Sequence, residues 1–279
     1  MILDISDWNV DETLVASGTR EKFWVVDPKS NNKFLFKLPK EGTGEIWAEK
    51  VAAEVGAQLN LDTMDVNIAS YNGRKGLLLK NFIKYGEEEF FDGGDLLKTV
   101  IEDFDVYNLE DYNIENIMSS LEPFNLEGDM IKVILFDALI ANQDRHCENW
   151  GVIQKEGEVS FAPIFDNGAS LGYNNSEYRI NLMFEDRMMF EAFTNKSKTI
   201  IGIGVQKKPK IRSFLPQLYQ LYPDVVKKEI NRFQYLQVDV IKHILKGIPL
   251  DVMSLTEKEW VEKILLYRKE WIIDLLKES

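Results

Sequence analysis

Apolar and polar positions change rhythm about one third of the way along the chain. Phe23-Trp24-Val25-Val26 is a short aromatic and β-branched run that ends in Asp27-Pro28-Lys29-Ser30-Asn31-Asn32, a cluster of turn formers. Phe34-Leu35-Phe36-Lys37-Leu38 follows, so the two runs read as a hairpin, closed by Pro39 and by the glycines at 42 and 44. Over 45–59, Ile46, Val51, Ala52, Val55 and Leu59 recur at helical spacing. Residues 66–70 and 76–82, on either side of the Asn72-Gly73 turn, predict two more strands.

Past Lys84 the pattern becomes helical. Gly86-Glu87-Glu88-Glu89 and Asp92-Gly93-Gly94-Asp95 form a polar, glycine-containing stretch that reads as a connection between lobes. Residues 130–142 predict a strongly apolar helix. Residues 223–245 and 256–277 predict amphipathic helices, the last opened by a capping box of Thr256 and Glu259 and packing Trp260 and Trp271 into a core. Without internal repeats, the expectation is an α+β chain of two lobes: residues 1–84 small and β-rich, residues 85–279 larger and mainly helical.

Composition narrows the partners. At 279 residues the chain is long enough to bury a substantial core, and 45% hydrophobic with 28% charged residues is an ordinary globular balance. Its 33 Lys and Arg against 46 Asp and Glu give a net charge of −13, a poor basis for nucleic-acid or anionic-membrane binding. Such a balance still permits a local basic pocket for a small phosphate ligand. Cys147 stands alone and fits a reducing compartment. The start, MILDISDW, has two acidic residues and no basic one, so a signal peptide is not expected there. The apolar run 131–141 contains Lys132 and Asp137 and is too short for a bilayer, so a cytoplasmic location is expected.

Candidate chemistry concentrates after that apolar helix. Ala141-Asn142-Gln143-Asp144-Arg145-His146-Cys147-Glu148-Asn149 precedes a predicted hairpin, 151–153 with 159–161, and then Ile164-Phe165-Asp166-Asn167-Gly168. Phosphoryl transfer from a nucleotide needs a carboxylate to position the attacking group and oxygen ligands for Mg²⁺. Asp144, Asn149 five residues on, and a second Asp delivered by a hairpin, Asp166, meet that need in order and spacing. Gly168 is expected to permit a sharp turn there. Any one of the three could be a loop cap or turn residue; together they favour catalysis.

The first lobe should then supply a phosphate-binding lysine. Lys37 sits inside an apolar strand, where burial is costly without an anionic partner, while an edge-strand lysine facing water is the plain alternative. Glu45, Glu49 and Glu54 on the following helix are all eligible partners, and spacing alone does not choose. Ser17, Gly18, Thr19, Arg20 and Lys22 precede the first strand as a short phosphate-loop candidate, although one glycine matches neither GxGxxG nor GxxxxGK[ST]. Phe82 and His146 join the nucleotide-contacting candidates. His146 is read as ordering its loop, since the only other histidine is His243, and Cys147 as a bland loop position.

The blocks S-G-T-R-E-K, F-L-F-K-L-P, E-I-W-A-E-K-V-A-A-E-V-G, N-Q-D-R-H-C-E-N and F-A-P-I-F-D-N-G, spread over residues 14–172, resemble the HipA-like serine/threonine kinases. Phosphoinositide kinases share a similar D-R-H-x-x-N. The resemblance implies a two-lobed protein-kinase-like fold that binds ATP and Mg²⁺. Asp144 would be the catalytic base, Asn149 and Asp166 the metal ligands, and Lys37 the ATP-phosphate lysine, with residues 17–22 covering the phosphates. It also implies protein substrates such as an aminoacyl-tRNA synthetase or another translation factor, autophosphorylation at Ser17 or Thr19 with Ser17 favoured, and a toxin role with a separate antitoxin subunit. Only sixteen residues precede Ser17, so a short form lacking the family's usual amino-terminal domain is expected. A small-molecule or phosphoinositide-type kinase, and a pseudokinase binding module, are the alternative readings.

Overall fold

A computed structural model describes residues 2–13 and 21–277. The first strands are β1 (Leu3–Asp4), β2 (Asn9–Val10), β3 (Lys22–Val26) and β4 (Lys33–Lys37), followed by helix α1 (Glu45–Gln58), β5 (Val66–Tyr71) and β6 (Arg74–Lys80). Among the described residues these strands form one sheet in the order β1-β5-β6-β4-β3-β2, antiparallel except for the parallel pair β1 and β5. Side chains alternate across it. Ile5, Val25, Phe36, Ala69 and Leu78 pack together on the outer face, while Val66, Leu77 and Leu79 pack with Ala53 of α1 on the inner face. Phe36 points outward, so Lys37 points inward toward α1. With β4 hydrogen-bonded to both β3 and β6, Lys37 is not an edge lysine.

The chain then forms β7 (Glu89–Asp92), α2 (Gly93–Leu97), α3 (Ile114–Leu121), α4 (Glu127–Ile140), β8 (Gly151–Lys155) and β9 (Glu158–Phe161). Strands β7, β8 and β9 make a small antiparallel sheet. The expected polar connection therefore holds only in part. Residues 89–92 pair with β8, and Asp92 caps α2 by accepting from the Asp95 amide at 3.0 Å. Gly93 is buried, and a Cβ there would fall 2.2 Å from the Trp150 ring, so the position has no room for a side chain.

Helix α4 is buried on almost every side from Met130 to Ile140, as a helix without a polar face must be. Around it pack α5 (Glu177–Glu185), α6 (Arg187–Asn195), α7 (Ile211–Leu221), α8 (Pro223–Ile230), α9 (Val238–Lys246) and α10 (Leu255–Lys277). Helix α1 contributes Trp47, Ala48, Val51, Ala52 and Val55 to this same core. Trp260 is fully buried within it and Trp271 packs against it. None of the helices among the described residues is long and apolar enough to cross a membrane.

Two helical expectations are corrected. The single helix expected over 223–245 is broken into α8, a 3-10 segment Asn231–Tyr235, and α9. The bend buries Phe233 and Leu236 and turns Arg232 onto the backbone carbonyls of Leu59 and Asn60, just beyond the end of α1, at 3.2 and 3.1 Å. The capping box of α10 is Ser254 with Glu257, not Thr256 with Glu259. Ser254 Oγ accepts from the Glu257 amide at 3.2 Å, and Glu257 Oε2 accepts from the Ser254 amide at 2.7 Å. Oε1 of Glu257 also accepts from Trp47 Nε1 at 3.1 Å, tying α10 to α1. Ser254→Ala should therefore cost about 1 kcal/mol of stability. Thr256→Ala, which removes no cap, should leave the denaturant midpoint nearly unchanged.

Candidate active site

Helix α4 ends at Ala141, whose φ of 57° is left-handed and turns the chain sharply into the loop 142–149. Asn142 holds that turn. Its amide nitrogens donate to Asp137, the side chain to Oδ1 at 3.0 Å and the backbone to the carbonyl at 2.9 Å. Its own Oδ1 accepts from the Asp144 backbone amide at 3.1 Å. Asp144 is thereby presented at the surface of the cleft, with its side chain about half exposed at 55%.

Arg145, beside it, is buried and acts as the hub of the site. Its Nε and Nη2 grip both oxygens of Asp137 at 2.9 and 2.6 Å. Nη1 donates to the carbonyls of Asn149 at 2.8 Å and Phe165 at 2.7 Å, and Nη2 also donates to Asn167 Oδ1 at 2.7 Å. One guanidinium thus fixes the helix, the loop carrying Asp144 and Asn149, and the segment carrying Asp166 relative to each other. Burial works against its charge, but the Asp137 carboxylate outweighs that and raises the pKa further. Sequence reasoning singled out neither residue. The available signal was Asp137, a lone carboxylate in a helix that is otherwise apolar from Met130 onward except for Lys132.

His146 Nε2 lies 2.7 Å from Asp144 Oδ1. That contact lowers the pKa of Asp144 against the opposing effect of burial. It raises that of His146, again against burial. His146 therefore contacts Asp144 directly within the loop. Asn149 donates Nδ2 to the Asp144 carbonyl at 3.1 Å, which leaves its amide oxygen for other partners. Cys147 is buried, and burial with Asp92 nearby pushes its thiol up to about 12, which disfavours the thiolate.

Asp166 reaches the same cleft from β9. Ile164 exchanges backbone bonds with Asp62 and Met64 at 2.8 and 3.0 Å, pinning the strand's exit to the connection between α1 and β5. The sharp turn belongs to Asp166 itself, at φ 56°, and not to Gly168. Gly168 is needed for room: a Cβ there would sit 2.8 Å from Glu45 Cγ and 3.3 Å from Glu49 Oε2. Phe165 packs between Phe82 and Phe90, with ring centroids 5.6 and 5.9 Å away. Phe82 thus stands at the site as part of the aromatic wall under Asp166.

Lys37 closes the constellation. Its ammonium lies 3.0 Å from Asp166 Oδ1 and 3.1 Å from Glu45 Oε1, so of the three eligible glutamates Glu45 makes the direct pair. Burial favours the neutral amine, yet Asp166, Glu49 and Glu45 outweigh it and raise the pKa. Glu49 is fully buried. Burial first, then the Asp166 charge, push it up to about 7, and Asn167 Nδ2 donates to its Oε1 at 3.4 Å. Glu54 is occupied elsewhere, pairing with Lys50 at 2.6 Å. Lys22 stands directly opposite Lys37 on β3, and burial followed by the charge of Lys37 lowers its pKa. Lys22, Lys37, Phe82, Asp144, His146, Asn149 and Asp166 therefore line one region. Ser17, Gly18, Thr19 and Arg20 lie outside the described residues.

Residues 14–229 match the HipA-like C-terminal domain family, which spans well over half of the chain. The chain belongs to that family. It is 26% identical over 262 residues to the serine/threonine-protein kinase CtkA of Helicobacter pylori, covering 88% of this chain and 79% of that protein. The solved structure of the H. pylori proinflammatory kinase CtkA superposes with a TM-score of 0.86 at 22% identity, covering 99% of this chain and 96% of that one. A HipA from Shewanella oneidensis MR-1, solved in a toxin–antitoxin complex with HipB and operator DNA, gives 0.60 at 13% identity over 95% of this chain and 67% of that one. The fold of the HipA-like chain is thus the two-lobed, kinase-like one expected from the sequence.

Two outcomes test this site. Asp137→Ala would leave a buried guanidinium without its counter-ion and should cost about 3–5 kcal/mol, read from denaturant unfolding. The second concerns the Asp144–His146 pair. A raised His146 pKa means the proton is held above the ordinary histidine range, so its stabilisation is complete below about pH 6.5 and lost as pH rises through the folded value. The lowered Asp144 pKa makes its share present above about pH 3.9 and lost as pH falls through the folded value. Asp144→Asn should move the NMR titration of His146 to lower pH, with His243→Gln making the assignment.

Proposed function

We propose that this HipA-like chain is an ATP- and Mg²⁺-dependent protein serine/threonine kinase. The observation that carries the reading is the convergence, from separate elements, of Asp144, Asn149, Asp166 and Lys37 on one cleft. The residues present fit a magnesium nucleotide. The Asn149 amide oxygen and the Asp166 carboxylate are hard oxygen donors suited to Mg²⁺. Among the described residues no group of three or more His, Cys, Asp or Glu gathers as a metal site, so the nucleotide phosphates would complete the ion's shell. Lys22 and Lys37, side by side on the inner sheet face, offer the positive charge that phosphates need. When bound, Mg-ATP supplies the transferable phosphoryl group.

The chain's own residues then do the positioning. Lys37, held by Glu45, orients the phosphates. Asp144, kept ionised by His146, accepts the proton of the substrate hydroxyl at its carboxylate. Arg145 keeps the base and the metal-binding carboxylate in register. Phe82 forms part of the wall beside the nucleotide. Autophosphorylation at Ser17, a role as toxin and pairing with an antitoxin subunit belong to the same proposal. They are supported by family membership and by the likeness to CtkA and to the HipA of the S. oneidensis complex.

Incubation with labelled ATP and Mg²⁺ should give phosphoserine or phosphothreonine on protein, with Ser17 identified by mass spectrometry and lost in Ser17→Ala. Asp144→Ala should lower the rate by about 10²–10⁴-fold, and Lys37→Met should weaken ATP use. Equal labelling by wild type and Asp144→Ala would overturn the assignment. Phosphate appearing on a supplied metabolite and never on protein would favour a small-molecule kinase.

A further inference from the structure

Between Glu191 and Asp224 the chain carries Lys196, Lys198, Lys207, Lys208, Lys210 and Arg212 and no acidic residue, although its net charge is −13. The three-dimensional structure draws this stretch beside the catalytic loop. The Lys198 amide donates to Gln143 Oε1 at 2.9 Å, one residue before Asp144. Lys198 and Lys210 stand opposite each other in a short antiparallel bridge, with Thr199 donating to the Pro209 carbonyl at 3.1 Å and Ile211 to that of Ser197 at 3.0 Å. Gly202 is fastened behind by backbone bonds with Tyr112 and Ile114, both 2.9 Å, and the Tyr112 hydroxyl donates to the Arg145 carbonyl at 2.7 Å. The strip is thus anchored to the elements that hold Asp144. The ammonium of Lys208 is close enough to act on the charge of His146.

All six basic side chains are exposed. Lys207 pairs with Glu110 at 2.9 Å, and Glu115 accepts from the Gly204 amide at 2.8 Å. Among the described residues, Lys196, Lys198, Lys208, Lys210 and Arg212 make no ion pair. Two local costs are concentrated here. Like charges directly opposite across a ladder repel, and Lys208 holds a left-handed φ of 49° that side chains other than Gly, Asn and Asp rarely adopt. The other facing pair of lysines, Lys22 and Lys37, lies where the phosphates of a nucleotide are proposed to bind.

We propose that this basic strip is the docking surface for an acidic polypeptide segment around the acceptor serine or threonine. The inference rests on the kinase reading and names its substrate class. Charge complementarity selects an anionic occupant, which relieves the facing lysines, and the strip's place beside the loop of Asp144 makes that occupant the polypeptide that carries the acceptor. Screening limits the reach to about 8–10 Å, which is roughly three extended residues on either side of the acceptor.

The test uses the full chain and three labelled peptides of equal length, each with one central serine flanked by Glu, Gln or Lys. Binding is followed by anisotropy without ATP, so the result stands whether or not the chain transfers phosphate. Wild type should bind the Glu peptide on the order of tenfold more tightly than the Gln peptide, and about 0.5 M salt should erase the difference. Lys198→Glu, Lys208→Glu and Lys210→Glu combined should reverse the preference toward the Lys peptide while ATP binding by calorimetry is unchanged. With Mg-ATP, the same preference should appear in KM more than in kcat. Equal binding of the Glu and Gln peptides, or an unaltered preference in the triple variant, would overturn the proposal. So would a single-stranded RNA oligonucleotide that binds the strip and is not displaced by the Glu peptide. Peptide selectivity without phosphorylation would instead count against the kinase assignment alone.

Discussion

Everything at the candidate active site depends on one buried ion pair. Arg145 spends its guanidinium on Asp137, Asn167 and the carbonyls of Asn149 and Phe165, with every contact between 2.6 and 2.9 Å. A buried charge is tolerable only when paired and hydrogen-bonded in this way. That requirement works in reverse as a constraint: the loop after α4 and the segment after β9 must come to the same place or leave donors stranded. The left-handed residues Ala141 and Asp166, one in each connection, are the backbone cost of that meeting.

The second constraint is electrostatic and crosses the lobes. Lys37 enters the cleft because β4 lies inside the sheet and its outward positions are taken by Phe34 and Phe36. Its ammonium then bridges Glu45 of α1 and Asp166 of the other lobe. Helix α1 is held at both ends by the helical part, through Trp47 to Glu257 and through the carbonyls of Leu59 and Asn60 to Arg232. Its middle is buried in the same apolar core. The glutamate beside Lys37 is thus carried on a helix fastened to the lobe that bears Asp144, which favours a pre-organised site over one assembled by helix movement.

Charge is distributed to match. The molecule is acidic overall, yet among the described residues two facing pairs of lysines lie close to Asp144 or Asp166, one pair at the phosphates' proposed position and one beside the loop of Asp144. Both carry repulsion that an anion would relieve. A net charge of −13 describes the average surface and says little about this cleft.

What the sequence by itself determined was local. Aromatic and β-branched runs placed β3 to β6 to within about two residues, while the two-residue strands β1 and β2 gave no signal; an apolar run placed α4, and the spacing of Asp144, Asn149 and Asp166 marked candidate residues, because these signals depend on neighbours along the chain. The tertiary structure decided which side chains meet. Glu45 and Glu49 were indistinguishable by spacing until packing put Glu45 beside Lys37 and buried Glu49 against Asn167. The run 223–245 has helical periodicity throughout, but the core demanded Phe233 and Leu236 at a bend. Ser254 displaced Thr256 as the cap of α10, and Glu257 was drawn to Trp47, a partner far away in sequence. Arg145 shows the limit most plainly. Its neighbours in sequence identify a motif, whereas its function comes from oxygens contributed by three separate elements, and only the folded chain brings those together.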